Sequence, residues 1–182
     1  MPPSPHDDLT HLNRALQLAS GAIGLSDPNP RVGCVLVAAD GQTVIGEGHT
    51  QQAGGPHAEV MALRDAQARG ASTLGATAYV TLEPCAHHGR TPPCCDALLQ
   101  AGVARVVAAL GDPNPLVNGQ GMARLAAAGV HTAWAPPAIA EAARELNIGF
   151  LSRMTRGRPW LRLKMAASLD GRGALEIGRA HV

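Results

Sequence analysis

The stretch His57-Ala-Glu-Val-Met-Ala-Leu-Arg-Asp-Ala-Gln-Ala68, followed by Ala76-Thr-Ala-Tyr-Val-Thr-Leu-Glu-Pro-Cys85, decides the fold. Its first half predicts a helix over 57–68, with Val60, Met61 and Leu63 toward the core and Gly70 as its stop. Its second half predicts a strand from Ala76 to Leu82 that runs into a polar loop, Glu83 to Pro93. Upstream, Leu9, Leu12, Leu16, Ala19 and Ile23 fall at helical spacing over Asp7–Gly24. Asp27-Pro28-Asn29-Pro30 is a turn-rich loop. Val32–Ala38 and Thr43–Glu47 read as two strands joined at Asp40-Gly41. Downstream, Thr91-Pro92-Pro93 reads as a helix start with Thr91 as N-cap, for a helix from Cys94 to Ala101. Val103–Leu110 is then a strand, Met122–Ala128 a helix, Val130–Trp134 a strand and Pro136–Arg153 a helix. Strands alternating with helices, plus one early hairpin, predict a layered α/β domain with a mixed sheet.

Composition narrows the functional classes. The chain has 182 residues, 46% of them hydrophobic and 16% charged, which suits one globular domain with a real core. Aromatic residues are only 2%, so Ala, Val and Leu must build that core. So few aromatic rings also leave no stacking platform for single-stranded nucleic acid. A net charge of +1 without a long basic run gives polyanion binding no electrostatic support. The opening MPPSPHDDLT lacks a basic and apolar leader, and no stretch is apolar enough to span a bilayer. The expectation is a cytoplasmic protein with neither nucleic acid nor membrane as partner. In a reducing compartment its four Cys read as metal ligands or free thiols rather than disulfides. A homo-oligomer is compatible with the sequence, which does not fix the oligomeric state.

His57, Cys85 and Cys94 offer one imidazole and two thiolates, a soft donor set suited to Zn²⁺. Three protein ligands leave a fourth tetrahedral position for water, as catalytic rather than structural zinc requires. Glu59 lies too near His57 in the chain to be a convenient fourth ligand, and is placed to move protons beside the metal. Zinc nucleobase deaminases use this arrangement of an activated water and a non-ligating Glu. His57 and Cys94 each open a predicted helix, whose N-terminal N–H groups favour thiolate over thiol. Cys85 follows a strand at the carboxyl edge of the sheet, where sites in open α/β sheets lie. Cys95 competes with Cys94, but a helix turns about 100° per residue, so both do not face one ion easily. Cys94 is the expected ligand and Cys95 a packed neighbour. Cys34, in an apolar strand, is expected in the core.

The segment Thr81-Leu-Glu-Pro-Cys-Ala-His-His-Gly-Arg-Thr-Pro-Pro-Cys94 resembles the zinc motif of the riboflavin-biosynthesis pyrimidine deaminases. Nucleoside and tRNA deaminases are similar but typically place two residues between the Cys ligands, where this chain has eight. Asp27-Pro-Asn-Pro-Arg-Val-Gly-Cys34, Gly46-Glu-Gly-His49, Gly55-Pro-His-Ala-Glu59 and Asp112-Pro-Asn-Pro-Leu-Val-Asn-Gly-Gln-Gly121 extend the resemblance from about Asp7 to Arg153. It implies a three-layer α/β/α cytidine-deaminase-like domain with a mixed five-stranded sheet. It also implies a small phosphorylated pyrimidine substrate, 2,5-diamino-6-ribosylamino-4(3H)-pyrimidinone 5′-phosphate, whose C2 amine is replaced by oxygen with loss of ammonia. On that reading Glu59 is the catalytic proton carrier. Asn29 either hydrogen-bonds the pyrimidine edge or closes an Asx turn. His49 and His87 are candidate substrate contacts. Arg90 is a candidate for the ribose phosphate, because its fork matches phosphate oxygens; the alternative is a solvated loop cation.

Family members usually fuse this domain to a reductase. Arg158-Pro-Trp-Leu-Arg-Leu-Lys-Met-Ala-Ala-Ser-Leu-Asp-Gly171 resembles the opening strand of that reductase, with Leu161, Leu163 and Met165 alternating along one face. The remainder of the reductase is not in the sequence, so the resemblance implies no reductase activity for it. The expected organisation is a deaminase domain over 1–153, a linker and reductase start over 154–175, and an artefactual tail over 176–182. Glu176-Ile-Gly-Arg-Ala-His-Val182 reads as the translation of a sequencing-adapter read.

Overall fold

The computed structural model describes residues 5–86, 92–113, 118–167 and 171. Its elements follow in order as α1 (Pro5–Ser20), β1 (Gly33–Val37), β2 (Val44–His49), α2 (Ala58–Ala68), β3 (Thr77–Val80), α3 (Cys94–Gln100), β4 (Arg105–Ala108), α4 (Gln120–Ala127), β5 (His131–Trp134), α5 (Pro137–Leu146) and α6 (Ile148–Arg156). The five strands form one sheet in the order β2-β1-β3-β4-β5. β1 is antiparallel to both β2 and β3, whereas β3, β4 and β5 are mutually parallel. The expected α/β class with a mixed five-stranded sheet is what forms. β1 and β3 are buried along their whole length, as strands covered on both faces must be.

Asp40 and Gly41 make the turn between β1 and β2. The Asp40 carboxylate accepts the backbone N–H of Gln42 and Thr43, each at 2.9 Å, and Gly41 takes φ 77°. Side chains then alternate across the sheet. The face bearing Gly33, Glu47, Tyr79 and Arg105 meets α1, where Arg14 pairs with Glu47 and Asp8 with Arg105. The face bearing Cys34, Gly46 and Gly48 meets α2. α3 packs beside α2, and α4 beside α3 and β5, while α5 joins α1. The result is three layers.

Close approach without aromatic bulk is achieved by glycine set against alanine. A Cβ added at Gly33 would stand 1.9 Å from the Ala15 carbonyl oxygen on α1. A Cβ at Gly46 would stand 2.3 Å from the Ala62 oxygen, and one at Gly48 2.5 Å from the Ala62 nitrogen, both on α2. α2 therefore turns Ala58, Glu59, Ala62 and Ala66 inward. Val60, Met61 and Leu63, expected on the core face, are only half-buried, because β2 is lined with glycine and receives small residues rather than large ones.

Three further expectations are corrected. The first helix ends at Ser20, so Ile23 lies beyond it and is exposed. The helix expected over Pro136–Arg153 is two, broken at Asn147, whose side chain turns to bond other backbone. Residues 160–167 form no strand: no sheet edge pairs with them, and Leu161, Leu163 and Met165 are exposed.

Candidate metal centre

Three elements bring three donors together. His57 sits at the N-cap of α2 with extended backbone (φ −77°, ψ 169°), and its carbonyl accepts the first helical N–H, from Met61. Cys85 lies just past β3. Its approach is fixed by Thr81, whose hydroxyl oxygen accepts the Gly33 N–H, and by Glu83, whose N–H donates to the Leu110 carbonyl. Cys94 is the first residue of α3; Pro93 stands at the N-cap there, and the expected cap Thr91 lies outside the described residues.

His57 Nδ1 is 3.2 Å from Cys94 Sγ and 3.7 Å from Cys85 Sγ. The three donor atoms all lie within 4.8 Å of one another, and they form the one group of this kind among the described residues. Tetrahedral Zn–N and Zn–S bonds of about 2.0 and 2.3 Å put such donors roughly 3.6 Å apart, so the residues fit the ion. One imidazole with two sulfurs is also the chemistry zinc selects.

Electrostatics agrees with the geometry. The Cys94 thiol, with help from the His57 ring and the Cys94 backbone N–H, holds the Cys85 thiol well below its ordinary range. Cys94 is pushed the other way by its bond to Cys85, by burial and by the charge of Glu59. A divalent cation offsets the repulsion that opposes the second ionisation. Hydrogen bonding to Cys85 raises the His57 pKa despite burial.

Glu59 is buried in the first turn of α2, two residues after His57. Burial raises its pKa above the usual carboxylate value, against the pull of His57. A raised carboxyl pKa suits a group that both takes and returns a proton. Cys95, one residue round the helix, points elsewhere: its thiol donates to the carbonyls of Pro84 at 3.4 Å and Gly121 at 3.5 Å. Cys34 is fully buried in β1.

Asn29 and His49, also expected at the site, lie on other segments. Asn29 is half-buried in the loop before β1. The turn there is closed by its own N–H to the Ser26 carbonyl and by the Ser26 hydroxyl to the Asn29 carbonyl. It lines a cavity of about 390 Å³ with Arg31, Asn147, Phe150, Arg153 and Trp160. His49 ends β2 on the α1 face of the sheet, its ring beside Gly21, with Nδ1 3.1 Å from the Thr50 carbonyl oxygen. His87 and Arg90 lie outside the described residues.

Two further polar residues carried no expectation. Asn147 Oδ1 accepts the Arg31 N–H at 2.7 Å and its Nδ2 donates to the Arg31 carbonyl at 2.9 Å, so it clamps the strand leading from Asn29 into β1. Glu83 is buried, and its carboxylate accepts four backbone N–H groups. The only sequence signal for Glu83 is its position two residues before Cys85 at the end of a strand.

Comparison with known proteins gives concordant results. The family described as "Cytidine and deoxycytidylate deaminase zinc-binding region" matches residues 5–110. The riboflavin biosynthesis protein RibD of Escherichia coli is 54% identical over 96% of this chain and 46% of its own length. Acinetobacter baumannii RibD superposes with a TM-score of 0.85 at 49% identity, covering 98% of this chain and 48% of that one. A Thermotoga maritima diaminohydroxyphosphoribosylaminopyrimidine deaminase/5-amino-6-(5-phosphoribosylamino)uracil reductase superposes with a TM-score of 0.87 at 40% identity, covering 93% and 47%. The chain thus spans about half the length of these three relatives. No helix among the described residues is long and apolar enough to cross a membrane.

Proposed function

This chain belongs to the cytidine and deoxycytidylate deaminase zinc-binding family, and from that premise we propose that it catalyses hydrolytic deamination of a phosphorylated diaminopyrimidine. The substrate is 2,5-diamino-6-ribosylamino-4(3H)-pyrimidinone 5′-phosphate. Water replaces the C2 amine with oxygen and ammonia leaves. The observation that carries this reading is the convergence of His57, Cys85 and Cys94 with a buried, non-ligating Glu59 beside them. Identity of 54% to the E. coli riboflavin protein, and likeness to the Thermotoga diaminohydroxyphosphoribosylaminopyrimidine deaminase/reductase, support the substrate.

His57, Cys85 and Cys94 hold the ion. When bound, zinc supplies Lewis-acid activation of a water molecule. Glu59 accepts a proton from the attacking water and returns it to the departing amine. The burial that raises its pKa suits it to both tasks. Asn29 recognises the pyrimidine edge, from a loop held in register by the Asn147 clamp. His49 and His87 supply further contacts, and Arg90 pairs with the phosphate. The partner is this small molecule, and the deaminase unit occupies residues 1–153 with α6 continuing to Arg156.

The test pairs metal analysis with ammonia release. The purified chain should carry about one zinc per protomer, as a three-ligand catalytic site requires, and deaminate the diaminopyrimidine phosphate in preference to cytidine, deoxycytidylate and RNA. Faster turnover of a free nucleoside would overturn the substrate. A zinc-loaded protein inactive on every one of them would overturn the reading.

A further inference from the structure

Glu83 is 3% exposed, yet its carboxylate serves four backbone donors from one distant segment. One oxygen accepts the N–H of Asp112 at 3.3 Å and Gly119 at 2.9 Å. The other accepts those of Gly121 at 2.9 Å and Met122 at 3.1 Å. Gly119 is the N-cap of α4, has φ 76°, and carries no side chain to cap the helix. Glu83 therefore caps α4 from elsewhere in the chain, where a negative charge also favours the helix dipole.

α4 in turn brackets the backbone on both sides of Cys85. Gly121 lies so close that a Cβ there would stand 1.9 Å from the Pro84 carbonyl oxygen. The Cys95 thiol joins the Pro84 and Gly121 carbonyls. Beyond Cys85, Arg124 of α4 donates to the Ala86 carbonyl at 3.0 Å and pairs with Asp96 of α3 at 2.6 Å. Residues 84–86 are thus held by a helix whose seat is fixed by the side chain of residue 83.

We propose that Glu83 is a positioning residue for the metal centre, acting through α4 to fix the backbone from which Cys85 presents its sulfur. The inference rests on the reading of His57, Cys85 and Cys94 as zinc ligands. A Gln at position 83 keeps the shape but turns an amide NH₂ toward two N–H groups, so the cap opens and the grip on Pro84 and Ala86 loosens. Residues that orient a ligand from outside the coordination sphere typically change metal affinity about 10–100-fold.

The test measures zinc affinity by competition with a chromophoric chelator on the whole chain, with the thiolate-to-Co²⁺ charge-transfer band of the cobalt-substituted protein as a second readout. Glu83→Gln should weaken zinc binding about 10–100-fold and diminish or shift that band. Glu83→Asp keeps the charge one methylene short and should fall between; it is the variant to read if Glu83→Gln gives no folded protein. Leu125→Ala, in the core face of the same helix, is the stability control: it should lower Tm while keeping wild-type zinc affinity and spectrum. Wild-type affinity and spectrum in the Glu83 variants would overturn the proposal. So would a zinc loss in Leu125→Ala equal to theirs, since stability alone would then explain it. A wild-type chain that binds no zinc would instead overturn the metal reading on which the inference rests.

Discussion

The backbone N–H of Cys94 donates to the Sγ of Cys85 at 3.3 Å. The first residue of α3 therefore contributes twice to one site, with its amide to a neighbouring sulfur and with its own thiol beside His57. Cys95 shares neither relation. Cys94→Ser should accordingly lose most bound zinc, whereas Cys95→Ser should keep it. Cys95→Ser still costs about 1 kcal/mol, because its hydroxyl is shorter than the thiol that reaches the Pro84 and Gly121 carbonyls. Metal content of the two variants after dialysis decides the matter, and equal retention would show that the wrong thiol is assigned.

Glu59→Gln tests the proton carrier. Gln is nearly isosteric, so zinc content and fold should persist. Ammonia release should fall by at least about 10²–10⁴-fold, the usual contribution of a positioned acid–base group. Near-normal turnover in a zinc-loaded variant would remove Glu59 from the mechanism.

The reach of sequence reasoning differs sharply among these residues. The His57, Cys85 and Cys94 cluster was legible because each donor type is chemically distinctive and its place at a helix start or strand end follows from local pattern. The orientation of α2 was not, because Val60 and Met61 look more core-like than Ala58 and Ala62. Only the glycines of β2, a different element, turn the helix onto its small face. Glu83 was opaque for a related reason. Its partners are main-chain N–H groups of residues 112–122, which leave no side-chain signature. The break at Asn147 depends likewise on the backbone of Arg31, far away in the chain.

Gly33 and Gly149 make a matched pair for the packing argument. Ala at position 33 would drive a methyl group into the Ala15 carbonyl at 1.9 Å and separate α1 from β1. Overpacking of this kind costs about 1–3 kcal/mol or more. Gly149 lies within α6, and nothing stands within 4 Å of its added Cβ. Gly149→Ala should stabilise by about 0.5–1 kcal/mol through helix propensity and reduced unfolded-state entropy. Urea unfolding of both variants measures the difference. A Gly33→Ala protein as stable as wild type would refute the close approach of α1.

The Asp8–Arg105–Tyr79 cluster on the α1 face predicts an acid-sensitive component of stability. Asp8 receives Arg105 on both oxygens, at 2.8 and 2.7 Å, and the Tyr79 hydroxyl donates to it at 2.7 Å. Burial pushes the Asp8 carboxyl up, but the bonds from Arg105 and Tyr79, with the Arg105 charge, outweigh it and leave the pKa below the ordinary 3.8. A carboxyl whose folded pKa lies below its unfolded one stabilises the fold above the unfolded value. That contribution is lost as pH falls from about 3.8 through the folded pKa. Asp8→Asn removes the titration and leaves the Arg105 guanidinium without its carboxylate, so at pH 7 it should destabilise by about 1–3 kcal/mol. The gap between wild type and Asp8→Asn should narrow progressively below pH 3.8, where the wild-type carboxyl also protonates. Tyr79 changes the opposite limb: burial, then its bond to Asp8, raises the phenol pKa, so its contribution is held at neutral pH and fades only in strong alkali. Urea titrations at pH 7 and at pH 3 supply the measurement. A gap that stays constant between those two pH values would mean that Asp8 is not held in its charged form by Arg105, and that the cluster contributes by packing alone.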